Sequence, residues 1–196
     1  MQYFTKVMIP ILLMVLFSCN RPVNSEGLEK YLNDQSNGTK KVYENGSFKA
    51  EMIYRPASVF VKREIYSGTT NVEAIKNKYK KYTYFVMNLY NNGNDLLNTT
   101  ASNRALFSNI NAQLSFKLNE FVYLLDKKND TTHLSDFIFP HLYEASKTTS
   151  VLLAFKTEDI KTNMFKICIK DIGFGTDIIE FEFSKKDLEN VPTLKF

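Results

Sequence analysis

The chain has few of the residues that bind metals or act in nucleophilic catalysis. Among 196 residues there are 2 cysteines, 2 histidines and no tryptophan. His133 and His141 are separated by a segment that contains Pro140, whereas zinc ligands usually form close pairs on a helix or in a C-x-x-C loop. Adding Cys168 or Glu144 as a third ligand would not supply such a closely spaced pair. The sequence therefore predicts neither a metal site nor a cofactor.

Motifs for phosphate binding and acyl transfer are also missing. Gly173-Phe174-Gly175 has neither a third glycine nor a following helix, so it predicts a hairpin turn. No serine stands in a Gly-x-Ser-x-Gly motif. Glu180 and Glu182 fall on one face of a predicted strand, whereas the two carboxylates of a glycosidase flank a cleft. The sequence thus contains no catalytic motif.

The charge of the chain is nearly balanced. Lysine and arginine total 25, aspartate and glutamate total 21, and the formal net charge is +4. The densest basic segment, Lys76–Lys81, has the composition of a solvated helix face. We therefore expect no nucleic-acid partner.

The N-terminus has the three parts of a secretory signal. Lys6 gives a positive start, residues 7–17 are apolar except for Pro10, and the small residue Ser18 precedes Cys19. The apolar part is too short for a bilayer core, which needs about 20 helical residues. We therefore predict a signal peptide rather than a transmembrane anchor.

The sequence Leu16-Phe17-Ser18-Cys19 resembles the lipobox of bacterial lipoproteins, with Phe17 bulkier than the residue often found there. The resemblance implies cleavage before Cys19, acylation of that cysteine with fatty chains including palmitate, and attachment to a membrane. Two or more acyl chains anchor a protein stably. Asn20 is not the aspartate that retains some lipoproteins in the inner membrane, so the resemblance implies the outer membrane. We accordingly expect a signal peptide over 1–18, a flexible tether over 19–27 and one domain over 28–196.

Strand patterns dominate the rest of the chain. Helices are predicted over 57–65 (where Val59-Phe60-Val61 also suits a strand), 72–82 and 102–111, and a short one follows Ser184. Strands are predicted over 40–43, 48–54, 81–91, 114–125, 133–139, 150–156, 164–170 and 177–183, with an edge strand over 193–196. Consecutive strands predict an α+β fold with a mainly antiparallel sheet and two or three helices, mostly in the first half.

Two groups of residues are candidates for a role beyond packing. Tyr82, Tyr84 and Tyr90 share one face of a predicted strand and would form an aromatic ligand surface unless a helix covers them. Cys168 alternates with two lysines that would stabilise a thiolate. If strand 164–170 pairs with strand 177–183, Glu180 and Glu182 meet those lysines and oppose the thiolate.

From these observations we expect a lipid-anchored envelope protein that is more a binding or accessory module than an enzyme. Its expected partners are the membrane, through its lipid, and a protein of the envelope. Two alternatives remain at this point. One is a hydrolase-type enzyme with an unrecognised site, which a cleft joining a histidine or cysteine to a carboxylate would favour. The other is an immunity-type protective lipoprotein, which a broad exposed apolar or single-sign patch would favour.

Overall fold

The computed structural model describes residues 22–140 and 146–196. The helices are α1 Ser25–Asn33, α2 Ala57–Tyr66, α3 Val72–Lys80, α4 Leu96–Thr100, α5 Arg104–Ala112, α6 Leu118–Phe121 and α7 Lys185–Glu189. The strands are β1 Lys40–Asn45, β2 Phe48–Arg55, β3 Tyr82–Asn91, β4 Asn94–Asp95, β5 Val122–Asp126, β6 Thr131–His133, β7 Asp136–Ile138, β8 Thr149–Lys156, β9 Met164–Ile169 and β10 Ile179–Ser184.

The strands form two antiparallel sheets. The larger sheet has the order β1-β2-β3-β8-β7, with β4 paired to β3, and the smaller has the order β10-β9-β5-β6. This confirms the predicted α+β class with a mainly antiparallel sheet. The helices, however, are spread along the chain and are not concentrated in its first half.

The inner faces of the two sheets pack against each other around phenylalanines. Phe85 of β3 has its ring centroid 4.9 Å from that of Phe183 of β10 and 6.3 Å from that of Phe165 of β9. All three side chains are at most 1% exposed. Burial of such large apolar rings is the main favourable contribution to folding. The described cysteine, Cys168, is a free thiol and adds no disulfide.

Three helices cover the outer face of the larger sheet. Leu28 and Leu32 of α1 pack on Ile53 of β2, and Phe60 of α2 packs on Tyr84 of β3. Helix α3 lies beside α2, with the ring of Tyr79 stacked 5.4 Å from that of Phe60. β3 is therefore covered on both faces, as its apolar residues on both sides predicted.

The predicted strand over 114–125 is wrong in its first part. Residues Gln113–Lys117 form a π-helical turn that continues α5 into α6, and the strand begins only at Val122. Ile110, Leu114 and Leu118 recur at four-residue spacing and are all buried. That spacing places them on one helical face toward the core, so the helical period prevails over the local strand propensity.

The predicted strand over 133–139 is two short strands in different sheets. Thr131–His133 pairs with β5 of the smaller sheet, and Asp136–Ile138 pairs with β8 of the larger one. Leu134, between them, is buried in the core. The chain therefore crosses from one sheet to the other at this leucine.

The first described residues include the start of a helix within the range expected for the tether. Helix α1 begins at Ser25, because the side chain of Asn24 accepts a hydrogen bond from the backbone N–H of Gly27 and because Leu28 and Leu32 are buried. The predicted edge strand over 193–196 is a single parallel bridge between Leu194 and Val23. Cys19, His141 and Glu144 lie outside the described residues.

Candidate binding surface

The structure separates the three predicted tyrosines into two places. Tyr82 and Tyr84 are neighbours, with ring centroids 6.2 Å apart. Tyr90 is eight residues further along β3, which at about 3.4 Å per residue is about 27 Å from Tyr82. Its hydroxyl donates to Glu51 at 3.3 Å. The three tyrosines therefore do not form one ligand surface.

Tyr84 is a packing residue and is not available to a ligand. Its ring lies 4.5 Å from that of Phe60 and 6.1 Å from that of Tyr79, and the residue is 8% exposed. Burial, followed by the nearby Tyr79, raises the pKa of Tyr84 to about 12. The hydroxyl is therefore protonated at all physiological pH values.

Polar contacts between α2 and α3 lie beside the aromatic cluster of Phe60, Tyr79 and Tyr84. The Tyr79 hydroxyl and the Lys78 ammonium both donate to the carboxylate of Glu64, the latter at 2.8 Å. The hydrogen bonds from Lys78 and then from Tyr79 lower the pKa of Glu64. These contacts fix α3 against α2, and so fix the position of the lysines at the end of α3.

Tyr82 is half-buried and lines an open cleft of about 580 Å³. The other lining residues come from the end of α3, the end of β8 and the turn after β8, and they are Lys80, Lys81, Lys156, Thr157 and Glu158. The backbone N–H of Thr157 donates to the carbonyl of Lys81 at 2.9 Å, which joins the two walls. An aromatic ring among three lysines and one glutamate presents a net positive site.

A second cleft of about 570 Å³ shares Lys156 and contains His133, Ser135 and Asp159. These are the residue types of a hydrolase, and the sequence did not predict their proximity. The hydroxyl of Ser135 accepts a hydrogen bond from the backbone N–H of Lys156 at 3.2 Å. Within residues 22–140 and 146–196, no side-chain hydrogen bond joins His133 to Ser135 or Asp159. A working triad would need both contacts.

No metal centre is present among the described residues. Residues 22–140 and 146–196 contain no group of three or more histidine, cysteine, aspartate or glutamate side chains placed to hold an ion. His141 and Glu144, which the sequence offered as possible ligands, lie outside this part of the chain.

Cys168 is fully buried between two neighbouring strands, facing Tyr123 of β5 and Glu180 of β10. Burial, followed by the negative charge of Glu180, raises the pKa of the thiol to about 11. Lys166 donates to Glu180 at 2.6 Å, so the predicted cross-strand ion pair is present. The thiol is therefore protonated and shielded, as the predicted strand pairing implied.

The glycine turn binds a carboxylate of its own chain. One oxygen of Asp171 accepts from the backbone N–H groups of Gly173, Phe174 and Gly175 at 2.8–3.0 Å. A phosphate would need those same donors. Because β9 and β10 pair antiparallel across this turn, the prediction of a hairpin turn rather than a phosphate loop is confirmed, and no sequence pattern indicated that Asp171 closes it.

Sequence patterns could not have located the lysine cleft. Lys80 and Lys81 belong to the basic segment interpreted as a solvated helix face, and Lys156 follows 75 residues after Lys81. Only the antiparallel pairing of β3 with β8, which places Tyr82 opposite Lys156, brings them together.

Comparisons with protein-family models, with curated proteins and with solved structures found no match to this chain. In residues 22–140 and 146–196, no helix has both the length and the apolar composition needed to cross a bilayer.

Proposed function

We propose that this chain is a lipoprotein of the cell envelope, anchored in the outer membrane through acyl chains on Cys19. In this proposal its folded domain is a non-enzymatic binding module. Support for the anchor is the lipobox resemblance of Leu16-Phe17-Ser18-Cys19 together with the short apolar segment before it. Support for binding is the cleft around Tyr82.

The observation that carries the binding role is the concentration of positive charge around one accessible aromatic ring. Lys80, Lys81 and Lys156 line the Tyr82 cleft with Glu158 as the acidic residue. Ammonium groups attract carboxylates, and a partly exposed ring contributes apolar contact area. The proposed ligand is an acidic segment of an envelope protein.

The anchor is tested by Cys19→Ala. We expect palmitate label on the wild-type protein, and we expect the variant to carry none and to leave the membrane fraction or retain its signal peptide. Palmitate label that persists in Cys19→Ala would contradict the anchor. Ser18 is retained, so the substitution alters the acceptor thiol and not the residue before the predicted cut.

The cleft is tested with a Tyr82→Trp variant, since the chain has no other tryptophan. An oligo-glutamate peptide should change the tryptophan fluorescence at low salt, and Lys156→Gln added to the same variant should weaken this response severalfold. Lys128→Gln is the matched control, because it removes one exposed lysine from the β5–β6 turn, outside the cleft. Equal responses in the Lys156 and Lys128 variants would overturn the assignment of the cleft.

A hydrolase is the second candidate function, and the gathering of His133, Ser135 and Asp159 in one cleft is the observation that favours it. Catalytic hydrogen bonds sometimes form only when substrate is bound. A fluorophosphonate probe decides between the two. Labelling that Ser135→Ala and His133→Ala both abolish would establish a nucleophilic serine, whereas an unlabelled wild-type protein would exclude one at this cleft.

An immunity-type protective role has less support from the described surface. The large apolar side chains exposed there lie on separate elements, namely Tyr66 of α2, Val72 of α3, Phe116 of the π-helical turn, Ile138 of β7, Ile178 before β10 and Phe196. A masking surface would instead gather such side chains into one broad patch.

A further inference from the structure

The start of the described chain is fixed against its end. The backbone N–H of Val23 donates to the carbonyl of Thr193, and the N–H of Lys195 donates to the carbonyl of Val23, both at 2.9 Å. Lys62 of α2 adds a third link, because its ammonium group donates to the carbonyl of Lys195 at 2.7 Å and to the hydroxyl of Ser25 at 3.2 Å. Val23 therefore has a defined position beside α2.

Two exposed aromatic residues lie on the same side of the molecule. Tyr66, at the end of α2, is 75% exposed, and Phe196, next to Lys195, is 58% exposed. Tyr66 lines a cleft of about 500 Å³ together with Ser25 and Leu194, which places it beside the Val23 bridge. Lys62 lies 5.8 Å from the centroid of the Tyr66 ring.

The charge around these rings is mainly positive. Three cationic residues lie close to these rings. Lys62 and Arg63 line the same cleft as Tyr66, and Lys195 precedes Phe196 in the chain and accepts a hydrogen bond from Lys62 through its carbonyl. Glu29 lines the same cleft, but Arg55 pairs with it at 2.6 Å. Glu26, in the first turn of α1, is an exposed acidic residue on the neighbouring helix. We call the surface of Lys62, Arg63, Tyr66, Lys195 and Phe196 the anchor-side face.

We propose that the anchor-side face docks on an anionic phospholipid surface and holds the domain in one orientation. This inference rests on the proposed lipid anchor at Cys19. Val23 follows Cys19 by four residues, which span at most about 14 Å. A membrane-embedded lipid on Cys19 would thus keep this face within reach of the headgroups.

The composition of the face fits the headgroup region. Tyrosine and phenylalanine rings insert at the boundary between headgroups and acyl chains, and lysine and arginine attract anionic lipid. With one end of the chain already held by lipid, docking has a high effective concentration and requires only weak contacts. The π-helical turn of residues 113–117 packs on the inner cluster through Leu114, whereas α1 and α2 pack on the outer face of the larger sheet, so docking by the anchor-side face would leave the turn away from the membrane.

The experiment uses the lipidated chain in vesicles, with a single tryptophan as the depth reporter. In Tyr66→Trp the reporter is on the anchor-side face. In Phe116→Trp the replaced ring is 79% exposed, which matches the 75% of Tyr66, but it lies on the π-helical turn. Vesicles contain phosphatidylethanolamine and phosphatidylglycerol, some of them with brominated acyl chains that quench tryptophan. Mass spectrometry of each sample establishes whether the acyl chains are present.

We expect strong quenching of Tyr66→Trp and little quenching of Phe116→Trp. Arg63→Gln and Lys195→Gln, each added to Tyr66→Trp, should lower the ratio of docked to undocked molecules about fivefold apiece. Lys127→Gln is the control for charge, because this exposed lysine lies in the β5–β6 turn. Vesicles of phosphatidylcholine alone should also weaken the quenching.

Two results would overturn the inference in different ways. Equal quenching of the two reporters in a protein with its acyl chains would leave the anchor intact and exclude docking by this face. A product without acyl chains would overturn the proposed anchor, and the docking inference with it.

Discussion

Cys168 of β9 and Glu180 of β10 are directly opposed in the antiparallel register of the smaller sheet. The thiol is fully buried, and the carboxylate is held at this position by Lys166 at 2.6 Å. Burial and the negative charge together raise the pKa of the thiol to about 11. Of the two lysines that would have stabilised a thiolate, Lys166 pairs with the glutamate, and Lys170 donates to the backbone carbonyl of Glu120 at 2.9 Å. This strand pair is a structural feature and does not provide a nucleophile.

The first prediction concerns the reactivity of that thiol. At pH 8, a pKa of about 11 in place of the ordinary 9.0 makes the thiolate fraction about 100-fold smaller, and burial adds a steric barrier. We expect Ellman's reagent to modify Cys168 in the folded domain more than 100-fold more slowly than after unfolding in guanidinium. Similar rates in the two states would show that the strand pair opens readily in solution.

The same pKa shift predicts a dependence of stability on pH. Because the pKa is higher in the folded state than in the unfolded one, the thiol stabilises the fold fully below pH 9, and this contribution is lost as pH rises toward 11. Cys168→Ala should therefore lose less stability than wild type between pH 8 and pH 10. Urea denaturation of both proteins at the two pH values measures the difference. Parallel losses would contradict the assigned shift.

A third prediction concerns Glu51, which is 7% exposed on β2. Its carboxylate is 3.1 Å from the ammonium of Lys40 and 3.0 Å from that of Lys49. Burial raises the pKa of Glu51, but the hydrogen bonds from Lys49 and Lys40 outweigh burial and leave the pKa below its usual value. Glu51→Gln should lower the free energy of unfolding by about 2–3 kcal/mol, because two lysines lose a charged partner.

Glu44→Gln is the matched control for Glu51→Gln. Glu44 is the other carboxylate near Lys49, at 3.5 Å, and its side chain is 64% exposed. Loss of such a surface pair costs about 0.5 kcal/mol or less. The excess stability that Glu51 gives should be present above pH 4.5 and should disappear as pH falls through its lowered pKa. Equal effects of the two substitutions at neutral pH would argue against a special role of the buried carboxylate.

A fourth prediction concerns Phe85, at the centre of the core. Its ring contacts those of Tyr54, Phe155, Phe165 and Phe183, with centroid distances of 4.9–6.4 Å. Phe85→Ala should cost about 3–5 kcal/mol by calorimetry or urea denaturation.

The control for Phe85→Ala is Phe116→Ala, whose ring is 79% exposed. A side chain with so little buried area should change stability by less than about 0.5 kcal/mol. A Phe85→Ala effect as small as that of Phe116→Ala would mean that the two sheets do not pack as described.

The sequence correctly predicted the strands in which apolar residues alternate, so that one face of the strand meets the core. Strand β3 was predicted because Phe85, Met87 and Leu89 alternate toward the core, and the β9–β10 pair because Ile and Phe alternate there with charged residues. The segment before β5 was predicted wrongly, because strand-forming residues such as Phe116 and Phe121 masked the four-residue spacing of Leu114 and Leu118. Only the surrounding core decides between those two periods.

The candidate surfaces were less predictable than the fold. Local composition identified Tyr82 and the basic segment beside it, but the cleft needs Lys156 from a strand far along the chain. His133 and Asp159 likewise approach each other only because the chain changes sheets at Leu134. Contacts of this kind depend on strand order, which no local pattern specifies.

The last prediction concerns Asp171, whose side chain closes the turn before β10. Burial raises its pKa, but hydrogen bonds from the backbone N–H groups of Phe174, Gly173 and Gly175 outweigh this and leave the pKa lowered. Asp171→Ala removes the acceptor and should cost about 1–2 kcal/mol, since water satisfies part of the loss at this exposed site. Glu182→Ala on β10 removes the same charge without a comparable set of bonds and should cost less. Urea denaturation at neutral pH measures both.

The stability difference between the two variants should vanish as pH falls below about 3.8, where the carboxylate of Asp171 becomes protonated in the unfolded chain and then in the folded one. A difference that persists at pH 2 would mean that the turn depends on the shape of the side chain and not on its charge.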